Sequence, residues 1–267
     1  MAQRFHKMHG LGNDFVIFDA RETPVEMDET RARAIADRMT GVGCDQLIIL
    51  EPSSSADVKM RIFNSDGGEV EACGNASRCV ALMLGGEVTI ETSGGSLSAT
   101  AEHGAASVDM GIPHFDWQQI PLAYAMDTGT MPVSWDGLVN PAAVNVGNPH
   151  VIFFVDDADA VDLAQLGPRI EHDPLFPDRV NVNVASLDGS AIKLRVWERG
   201  AGLTRACGTG ACATAVAAIR RKLATSPVEV RLPGGALSIE WTPSGTITMR
   251  GPAVHVFTGE LDLEAFA

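Results

Sequence analysis

The chain has few lysines and lacks the motifs of several common enzyme classes. Only four lysines occur in 267 residues, and two of them, Lys59 and Lys193, belong to repeated strands, so a pyridoxal Schiff base has no obvious candidate. No Gly-x-Ser-x-Gly nucleophile elbow and no phosphate-binding loop is present. These absences argue against pyridoxal phosphate chemistry, serine hydrolysis and P-loop nucleotide binding.

Basic patches and long apolar runs are also missing. The net charge of −14 and the pI near 4.8 argue against a nucleic-acid partner, which would need a basic surface. Apolar runs such as residues 151–155 are too short to span a bilayer, and the N-terminal residues are too polar for a signal peptide. We therefore expect a cytoplasmic protein without a membrane partner, whose five cysteines are reduced thiols.

What the chain does contain is an internal repeat that carries a cysteine. Residues 58–63 (VKMRIF) and 192–197 (IKLRVW) share one alternating pattern, and the cysteine of an Ala-Cys-Gly motif follows each of them ten residues later. These cysteines are Cys73 and Cys207. The two strands and the two cysteines are both offset by 134 residues (192 − 58 and 207 − 73), about half of the chain.

Two further pairs of blocks extend the repeat. Residues 12–18 match residues 147–153 at an offset of 135, and residues 88–98 match residues 228–238 at an offset of 140. Such a period is far longer than that of solenoids or propellers, and it indicates two domain-sized halves. We predict an α+β fold of two pseudosymmetric domains produced by an internal duplication.

The local patterns predict mostly strands, with one buried helix after each cysteine. Short β-rich runs are bounded by Gly, Pro, Ser or Asp, and the Gly-Gly pairs after residues 93 and 233 predict hairpin turns. Helices are predicted over residues 75–84, 209–223, 29–39 and 163–170, and a linker over residues 113–132. The predicted domains are residues 1–115, onto which the tail 256–267 packs, and residues 116–255.

Each of the two cysteines follows a strand and a glycine-containing loop, and a predicted helix begins directly after it. A helix N-terminus has free N–H groups and a partial positive charge, which stabilise a thiolate and also bind carboxylates. Two matched thiols on opposite sides of one ligand suit a two-base racemase or epimerase, in which one removes a proton and the other returns one. We expect the site between the two halves.

Four other roles for the cysteines are weighed against this one. Cys44, Cys79 and Cys212 suit buried apolar positions, but the glycine-rich surroundings of Cys73 and Cys207 do not. Zinc is disfavoured, because Cys73/Cys79 and Cys207/Cys212 are six and five residues apart, outside the usual spacings. A Cys73–Cys207 disulfide would be a side reaction of facing thiols. A cysteine hydrolase with His150 as base leaves the second cysteine without a role.

Several motifs strongly resemble those of the diaminopimelate epimerase family over nearly the whole chain. The most specific is Glu-Arg-Gly-Ala-Gly at 198–202, before the second cysteine. The others are MHGLGNDF at 8–15, NSDG at 64–67, ACGN at 72–75, GNPH at 147–150 and ACGTG at 206–210. The resemblance implies that each domain is a mixed sheet wrapped around a central helix. It also implies a cofactor-independent interconversion of LL- and meso-2,6-diaminopimelate, without a metal, and a homodimer.

The resemblance also implies roles for individual residues. Cys73 and Cys207 would be the acid/base pair, and His150 and Glu198 would modulate their pKa values. A zwitterionic diamino diacid would be bound by amides and helix-start groups, with Arg199 suited to its distal carboxylate. The implied substrate-binding residues are Asn13, Gln46, Asn64, Gly74, Asn75, Asn148, Asn181, Glu198, Arg199, Gly208 and Thr209.

The repeat is broken at two of these positions. His150 and Glu198 correspond to Phe15 and Asn64 (150 − 135 and 198 − 134), so we expect the two thiols to be unequal at rest. Ala76 departs from the glycine usual in the family, and the pocket there could be tighter. A proline-racemase-like or phenazine-biosynthesis-like isomerase is the alternative within the same fold, and the motif at 198–202 argues against both.

Overall fold

The computed structural model describes residues 2–71, 73–102 and 104–266. Ala72, which opens the first Ala-Cys-Gly motif, lies outside the described residues. The chain forms two compact units. The first contains the described residues of 1–108 and 251–267, and the second contains residues 109–250.

The first unit is one mixed sheet with two helices. Its strand order is β19-β1-β2-β3-β4-β6-β7-β8, with β5 also paired to β4. The pairs β2–β3 and β4–β6 are parallel and the others antiparallel. The elements are β1 (Ala2–Gly10), β2 (Asn13–Asp19), α1 (Glu29–Ala36), β3 (Gln46–Glu51), β4 (Val58–Asn64), β5 (Glu69–Val70), α2 (Gly74–Leu84), β6 (Gly86–Thr92), β7 (Gly95–Glu102), β8 (Ala105–Asp109), β19 (Val254–Asp262) and a 3-10 helix at Leu263–Phe266.

The second unit repeats this arrangement. Its strand order is β11-β12-β13-β14-β16-β17-β18, with β15 also paired to β14, and β12–β13 and β14–β16 are the parallel pairs. The elements are β9 (Ser134–Trp135), β10 (Leu138–Val139), β11 (Ala142–Asn145), β12 (Pro149–Phe154), a 3-10 helix at Ala158–Ala160, α3 (Leu163–Glu171), β13 (Asn181–Asp188), β14 (Ala191–Glu198), β15 (Gly202–Thr204), α4 (Gly208–Arg220), β16 (Val228–Leu232), β17 (Gly235–Trp241) and β18 (Ile247–Pro252). Strands β9 and β10 form a separate hairpin.

Strand register confirms that the units are copies of one another. Phe15 lies opposite Gln46 in the parallel pair β2–β3, and His150 lies opposite Asn181 in β12–β13. Both residues of the second pair are 135 positions after those of the first (150 − 15 and 181 − 46). Because a one-residue slip would turn every side chain to the other face, equal register means equal distribution of side chains over the two faces.

Each sheet curls around one buried helix. In the first unit α2 packs against β1 and β19 near one edge of the sheet and against β6 and β7 near the other. In the second, α4 packs against β11–β14 on one side and β16 and β17 on the other. A helix reached from both ends of a sheet is buried all round, which explains the unbroken run of buried residues from Gly210 to Ala218. The central-helix architecture is thus confirmed.

The outer face of each sheet is covered by the remaining helix. In the first unit Ile35 of α1 packs with Val16, Phe18 and Leu47 in one apolar cluster. In the second, Leu163 of α3 packs with Val151 and other strand residues in an equivalent cluster. Each sheet therefore separates two cores, and the side chains of alternate strand residues point towards the cysteine-bearing helix.

Some predicted boundaries differ from the observed ones. Helix α1 ends at Ala36 rather than residue 39, because the Asp37 carboxylate accepts from the N–H groups of Met39 and Thr40 and turns the chain. Helix α4 ends at Arg220 rather than residue 223, where Lys222 adopts a positive φ of 59°.

The predicted linker, residues 113–132, is part of the second unit. Ile120, Leu122 and Met131 are buried in its outer core, so the segment is held by packing. The units divide at 108/109 and 250/251, whereas the sequence suggested 115/116 and 255/256. Residues 109–115 go with the second unit, where His114 bridges to Asn145, and residues 251–255 go with the first, where β19 pairs with β1. Within the described chain, no helix has both the length and the apolar character needed to cross a membrane.

Candidate functional site

Cys207 caps the N-terminus of α4 with its own sulfur. Its side chain is buried, with 4% of the residue exposed, and Sγ accepts a hydrogen bond from the Gly210 N–H at 3.3 Å. The Thr209 hydroxyl oxygen lies 3.6 Å from the same sulfur. A Cβ on Gly210 would lie 3.1 Å from Sγ, so glycine at this position lets the helix backbone approach the thiol closely.

Glu198 is the acidic neighbour of Cys207. Burial raises the pKa of the Cys207 thiol well above its usual value, and the charge of Glu198 raises it further, against the hydrogen bonds from Thr209 and Gly210. Burial also raises the pKa of Glu198, although its carboxylate is hydrogen-bonded to both Thr204 and Cys207. Cys207 is therefore a protonated thiol at neutral pH in this structure.

His150 is buried beside two asparagines. Its Nε2 lies 2.9 Å from Asn148 Oδ1, and its Nδ1 lies 3.3 Å from Asn183 Nδ2. Burial lowers the pKa of His150 to about 3, with Arg199 acting in the same direction and Asn183 opposing. The imidazole is thus neutral, and no direct hydrogen bond joins it to Cys207 in the part of the chain that the structure describes.

The side-chain amide of Asn181 makes hydrogen bonds to two backbone groups. Its Nδ2 donates to the Pro149 carbonyl at 2.9 Å, and its Oδ1 accepts from the Arg199 N–H at 2.9 Å. The residue is buried. The Arg199 guanidinium is exposed and donates to the Asp178 carbonyl at 2.9 Å. In this arrangement Asn181 ties the loop after β14 to β12, and the Arg199 side chain lies at the surface against the Asp178 carbonyl.

In the first unit, Cys73 caps α2 and faces an asparagine. Its Sγ lies 4.0 Å from Asn13 Oδ1, which also accepts from Asn75 Nδ2 at 3.0 Å. Asn13 in turn donates to the Asp45 carboxylate at 3.0 Å. Cys73 is half-buried, which makes it the more accessible of the two thiols at helix N-termini.

Gln46 and Asn64 form a second polar pair in this unit. They are register partners on β3 and β4, and Gln46 Nε2 donates to Asn64 Oδ1 at 2.9 Å. Gly74 and Gly208 are the first residues of α2 and α4, so both stand at the helix start. The structure thus groups Asn13, Cys73 and Asn75 in one unit and Glu198, Cys207 and Thr209 in the other, and pairs His150 with Asn148.

The sequence analysis missed Asn183 and Thr214. Both are fully buried, and Asn183 Nδ2 donates to the Gly210 carbonyl at 3.3 Å and to Thr214 Oγ1 at 3.2 Å. The repeat contains a signal for them. Their counterparts at the same offsets are Ile48 and Val80 (183 − 135 and 214 − 134), so polar residues replace apolar ones in a core position.

The other cysteines behave as buried apolar residues. Burial raises the pKa of Cys44 and of Cys79 to about 12 each, so both stay protonated near neutral pH. Cys212 is buried inside α4. Among the described residues, no group of three or more His, Cys, Asp or Glu side chains is arranged to hold a metal ion.

Solved structures identify the class of fold. A phenazine biosynthesis protein of the PhzF family from Bacillus anthracis superposes with a TM-score of 0.72, covering 98% of this chain and 99% of the other, at 16% identity. A probable proline racemase from Agrobacterium radiobacter K84 gives a TM-score of 0.69, covering 98% and 93%, also at 16% identity. The chain therefore has the duplicated α+β fold that these two proteins share.

Sequence comparison identifies the family. The family model described as diaminopimelate epimerase matches residues 5–115 and 142–256. Proteins named diaminopimelate epimerase from Rhizorhabdus wittichii and Sphingopyxis alaskensis are each 67% identical to this chain over its whole length, covering 98% and 100% of those proteins. The one from Zymomonas mobilis is 56% identical over the full length of both. The chain belongs to the diaminopimelate epimerase family, a family of amino-acid epimerases.

Proposed function

We propose that this chain interconverts LL- and meso-2,6-diaminopimelate without a cofactor, through Cys73 and Cys207 acting on opposite faces of the α-carbon. One thiolate removes the α-proton and the other thiol delivers a proton, and the roles exchange with the direction of reaction. The observation that carries this proposal is the pair of cysteines at register-equivalent helix N-termini, where free N–H groups can stabilise an anion. The product feeds lysine and peptidoglycan synthesis.

The two thiols differ in a way that suits opposite roles. Cys207 is buried next to Glu198, so its proton is retained at neutral pH and is available for donation. Cys73 is half-buried, and its Sγ lies 4.0 Å from the neutral amide oxygen of Asn13. We infer that in the resting enzyme Cys207 is the acid and Cys73 the base. Glu198 is the group that tunes Cys207.

Binding of the diamino diacid falls to the polar groups around the two helix starts. The amides of Gln46, Asn64 and Asn148 can donate to carboxylates and accept from ammonium groups. The N–H groups at Gly74-Asn75 and Gly208-Thr209 would hold the carboxylate next to the reacting carbon, and Arg199 the distal one. Asn181 contributes by holding the loop that carries Arg199.

The deciding experiment is hydrogen exchange at the α-carbon in heavy water. Wild-type enzyme should introduce deuterium into diaminopimelate, whereas Cys73→Ala and Cys207→Ala should each slow incorporation by at least about a hundredfold. Cys212→Ala, which removes a buried thiol from the same helix as Cys207, is the control and should keep exchange near wild type. Exchange at wild-type rates in both helix-cap variants would overturn the two-thiol mechanism.

We also propose that the enzyme acts in the cytoplasm as a homodimer. Strand β19 pairs with β1, and most of its residues are exposed. Its apolar side chains Val254, Val256 and Phe257 are about half exposed. Exposed apolar side chains concentrated on one strand favour contact with a second copy of the chain, and a twofold axis closes such a contact.

A further inference from the structure

Three buried polar side chains of the second unit, which contains Cys207, have apolar counterparts in the first unit, which contains Cys73. His150, Asn183 and Thr214 are all fully buried, on β12, β13 and α4. The three residues at the same offsets in the first unit are also fully buried: Phe15, Ile48 and Val80. In the first unit, the fold is therefore maintained with three packed apolar side chains at these positions. Burying polar groups instead costs free energy unless each is hydrogen-bonded, so the three polar side chains need partners inside the core.

Hydrogen bonding fixes the orientation of the Asn183 amide. The Gly210 carbonyl can only accept, and it lies 3.3 Å from Asn183 Nδ2. The same nitrogen lies 3.2 Å from Thr214 Oγ1 and 3.3 Å from His150 Nδ1, and Asn183 Oδ1 lies 3.4 Å from that imidazole nitrogen. Nδ2 has two hydrogens, of which one can serve α4 and the other the imidazole. His150 Nε2 lies 2.9 Å from Asn148 Oδ1, an atom that only accepts, so the imidazole proton is on Nε2 and Nδ1 is the acceptor from Asn183.

The contacts of the two ring nitrogens determine the tautomer of His150. A neutral imidazole carries one N–H, and with Nδ1 accepting, the proton is on Nε2. That N–H donates to Asn148 Oδ1 across 2.9 Å. The oxygen of the Asn148 amide is thus turned inward to the histidine. Its Nδ2 is left as a donor on the part of Asn148 that is only half-buried.

We propose that Asn183 and Thr214 are positioning residues that hold His150 as the Nε2–H tautomer, so that Asn148 presents its amide N–H donor to a substrate carboxylate. The hydrogen-bonded contacts run from Gly210 through Asn183 and His150 to Asn148. They start at Gly210, whose N–H donates to Cys207 Sγ. His150 then acts as a rigid neutral link. The part of this inference that names the ligand rests on the proposed function, and the part about the tautomer does not.

Nitrogen NMR of the unliganded protein tests the tautomer directly. In protein labelled with 15N-histidine, the His150 signals are assigned by their loss in His150→Phe. Nδ1 should resonate as an unprotonated, pyridine-type nitrogen and Nε2 as a pyrrole-type nitrogen, without change from pH 8 to pH 5. A proton on Nδ1, or titration of His150 near its ordinary pKa, would overturn the proposal whether or not the enzyme acts on diaminopimelate.

Kinetics test the effect on binding. Asn183→Ile copies the first-unit residue and should raise KM for diaminopimelate about tenfold, the cost of a misplaced hydrogen bond to a charged group, with kcat within a few-fold of wild type. The pH dependence of kcat should be unchanged. The combination with Asn148→Ala should raise KM no further than Asn148→Ala alone, because both remove the same contact.

The triple variant His150→Phe, Asn183→Ile, Thr214→Val transplants the whole apolar trio and guards against misfolding of the single variant. It should fold, because the first unit already packs these side chains, and its KM should match that of Asn183→Ile. An unchanged KM in both variants, or a shifted pH dependence of kcat in Asn183→Ile, would contradict a positioning role. If wild type fails to exchange deuterium into diaminopimelate, the proposed function falls while the NMR result on the tautomer stands.

Discussion

The Glu198 carboxylate is hydrogen-bonded to the thiol of Cys207 and helps to keep it protonated. Its counterpart in the first unit is Asn64, an uncharged amide whose oxygen accepts a hydrogen bond from Gln46. A carboxylate in one copy of the strand and a neutral amide in the other therefore give the two units different charges at matched positions.

Glu198→Gln should make Cys207 more reactive. Removing the neighbouring negative charge lowers the pKa of the thiol, because a nearby anion disfavours the thiolate. A fall of about one pKa unit would raise the rate of iodoacetamide alkylation about tenfold at pH 8. The measurement uses a Cys73→Ala background. Glu229→Gln, an exposed carboxylate in the same unit, should have no effect, and an unchanged rate in Glu198→Gln would count against the coupling.

Gly210→Ala should impair the enzyme more than the reverse change in the other unit. A Cβ at 210 would lie 3.0 Å from Val196 Cγ2 and 3.1 Å from Cys207 Sγ. Overpacking of this kind costs about 1–3 kcal/mol and displaces the thiol, so kcat should fall at least about tenfold. Ala76→Gly, the matched change in α2, should cost about 1 kcal/mol of helix stability and leave most of kcat. Chemical denaturation and steady-state kinetics separate the two effects.

His150→Phe should flatten the dependence of stability on pH. Since burial lowers the pKa of His150 to about 3, the unfolded chain binds one more proton than the native protein between about pH 6.5 and that value. Wild type therefore loses stability as pH falls through this window, with a limiting slope of about 1.4 kcal/mol per pH unit from this residue. Urea unfolding between pH 7 and pH 4 should show a shallower slope in the variant. Equal slopes would contradict a neutral buried histidine.

Asp14→Asn should destabilise the first unit near neutral pH. Burial alone would raise the pKa of Asp14, but hydrogen bonds from Arg38 and Lys7 outweigh it and hold the pKa at about 2. The stabilisation is complete above the unfolded pKa of about 3.9 and is lost as pH falls through 2. We expect a loss of roughly 1–2 kcal/mol at pH 7, allowing for the exposure of Arg38, and almost none at pH 2.

Asp19→Asn is the control for that measurement. Its ion pair with Arg21 is about one-third exposed on both side chains, so solvent screens it and its loss should be smaller. If Asp19→Asn proved as damaging as Asp14→Asn at pH 7, a general effect of removing charge would explain both.

Phe257→Glu should convert the proposed dimer into a monomer. The side chain is 47% exposed on the outer strand of the first sheet, where a charge would oppose its own copy across a twofold axis. Sedimentation velocity at micromolar concentration gives the mass. Leu187→Glu, at a similarly exposed position of the second unit, should leave the mass unchanged. A wild-type monomer would contradict the dimer itself.

Much of the fold could be predicted because the two halves of the chain carry the same sequence pattern. Matched blocks and Gly-Gly turns predicted the hairpins β6–β7 and β16–β17, and both are present. The ends of α1 and α4 were predicted too late in the sequence. They depend on a side-chain cap by Asp37 and on a left-handed Lys222, which local periodicity does not show.

The site was predicted in part for a similar reason. Helix-capping cysteines follow from a local strand–loop–helix pattern, which the sequence displays. The partners of His150 and Asn181 lie about thirty residues away and are joined by register across strands. In the sequence, an asparagine within a strand looks like an interruption of the apolar pattern. Its role becomes visible only when its hydrogen-bond partner on a neighbouring strand is known. Asn183 would have been found only by comparing the two copies position by position.

Strand β19 also sets the order in which the halves can be completed during synthesis. All of the second unit, residues 109–250, precedes residues 251–267 along the chain, whereas the first unit needs that last segment to cover β1. On the ribosome, the half that begins first is therefore finished last. Joining the two chain ends through a linker and opening the chain at 250/251 would make both halves contiguous, and such a circular permutant would reverse the order of their completion.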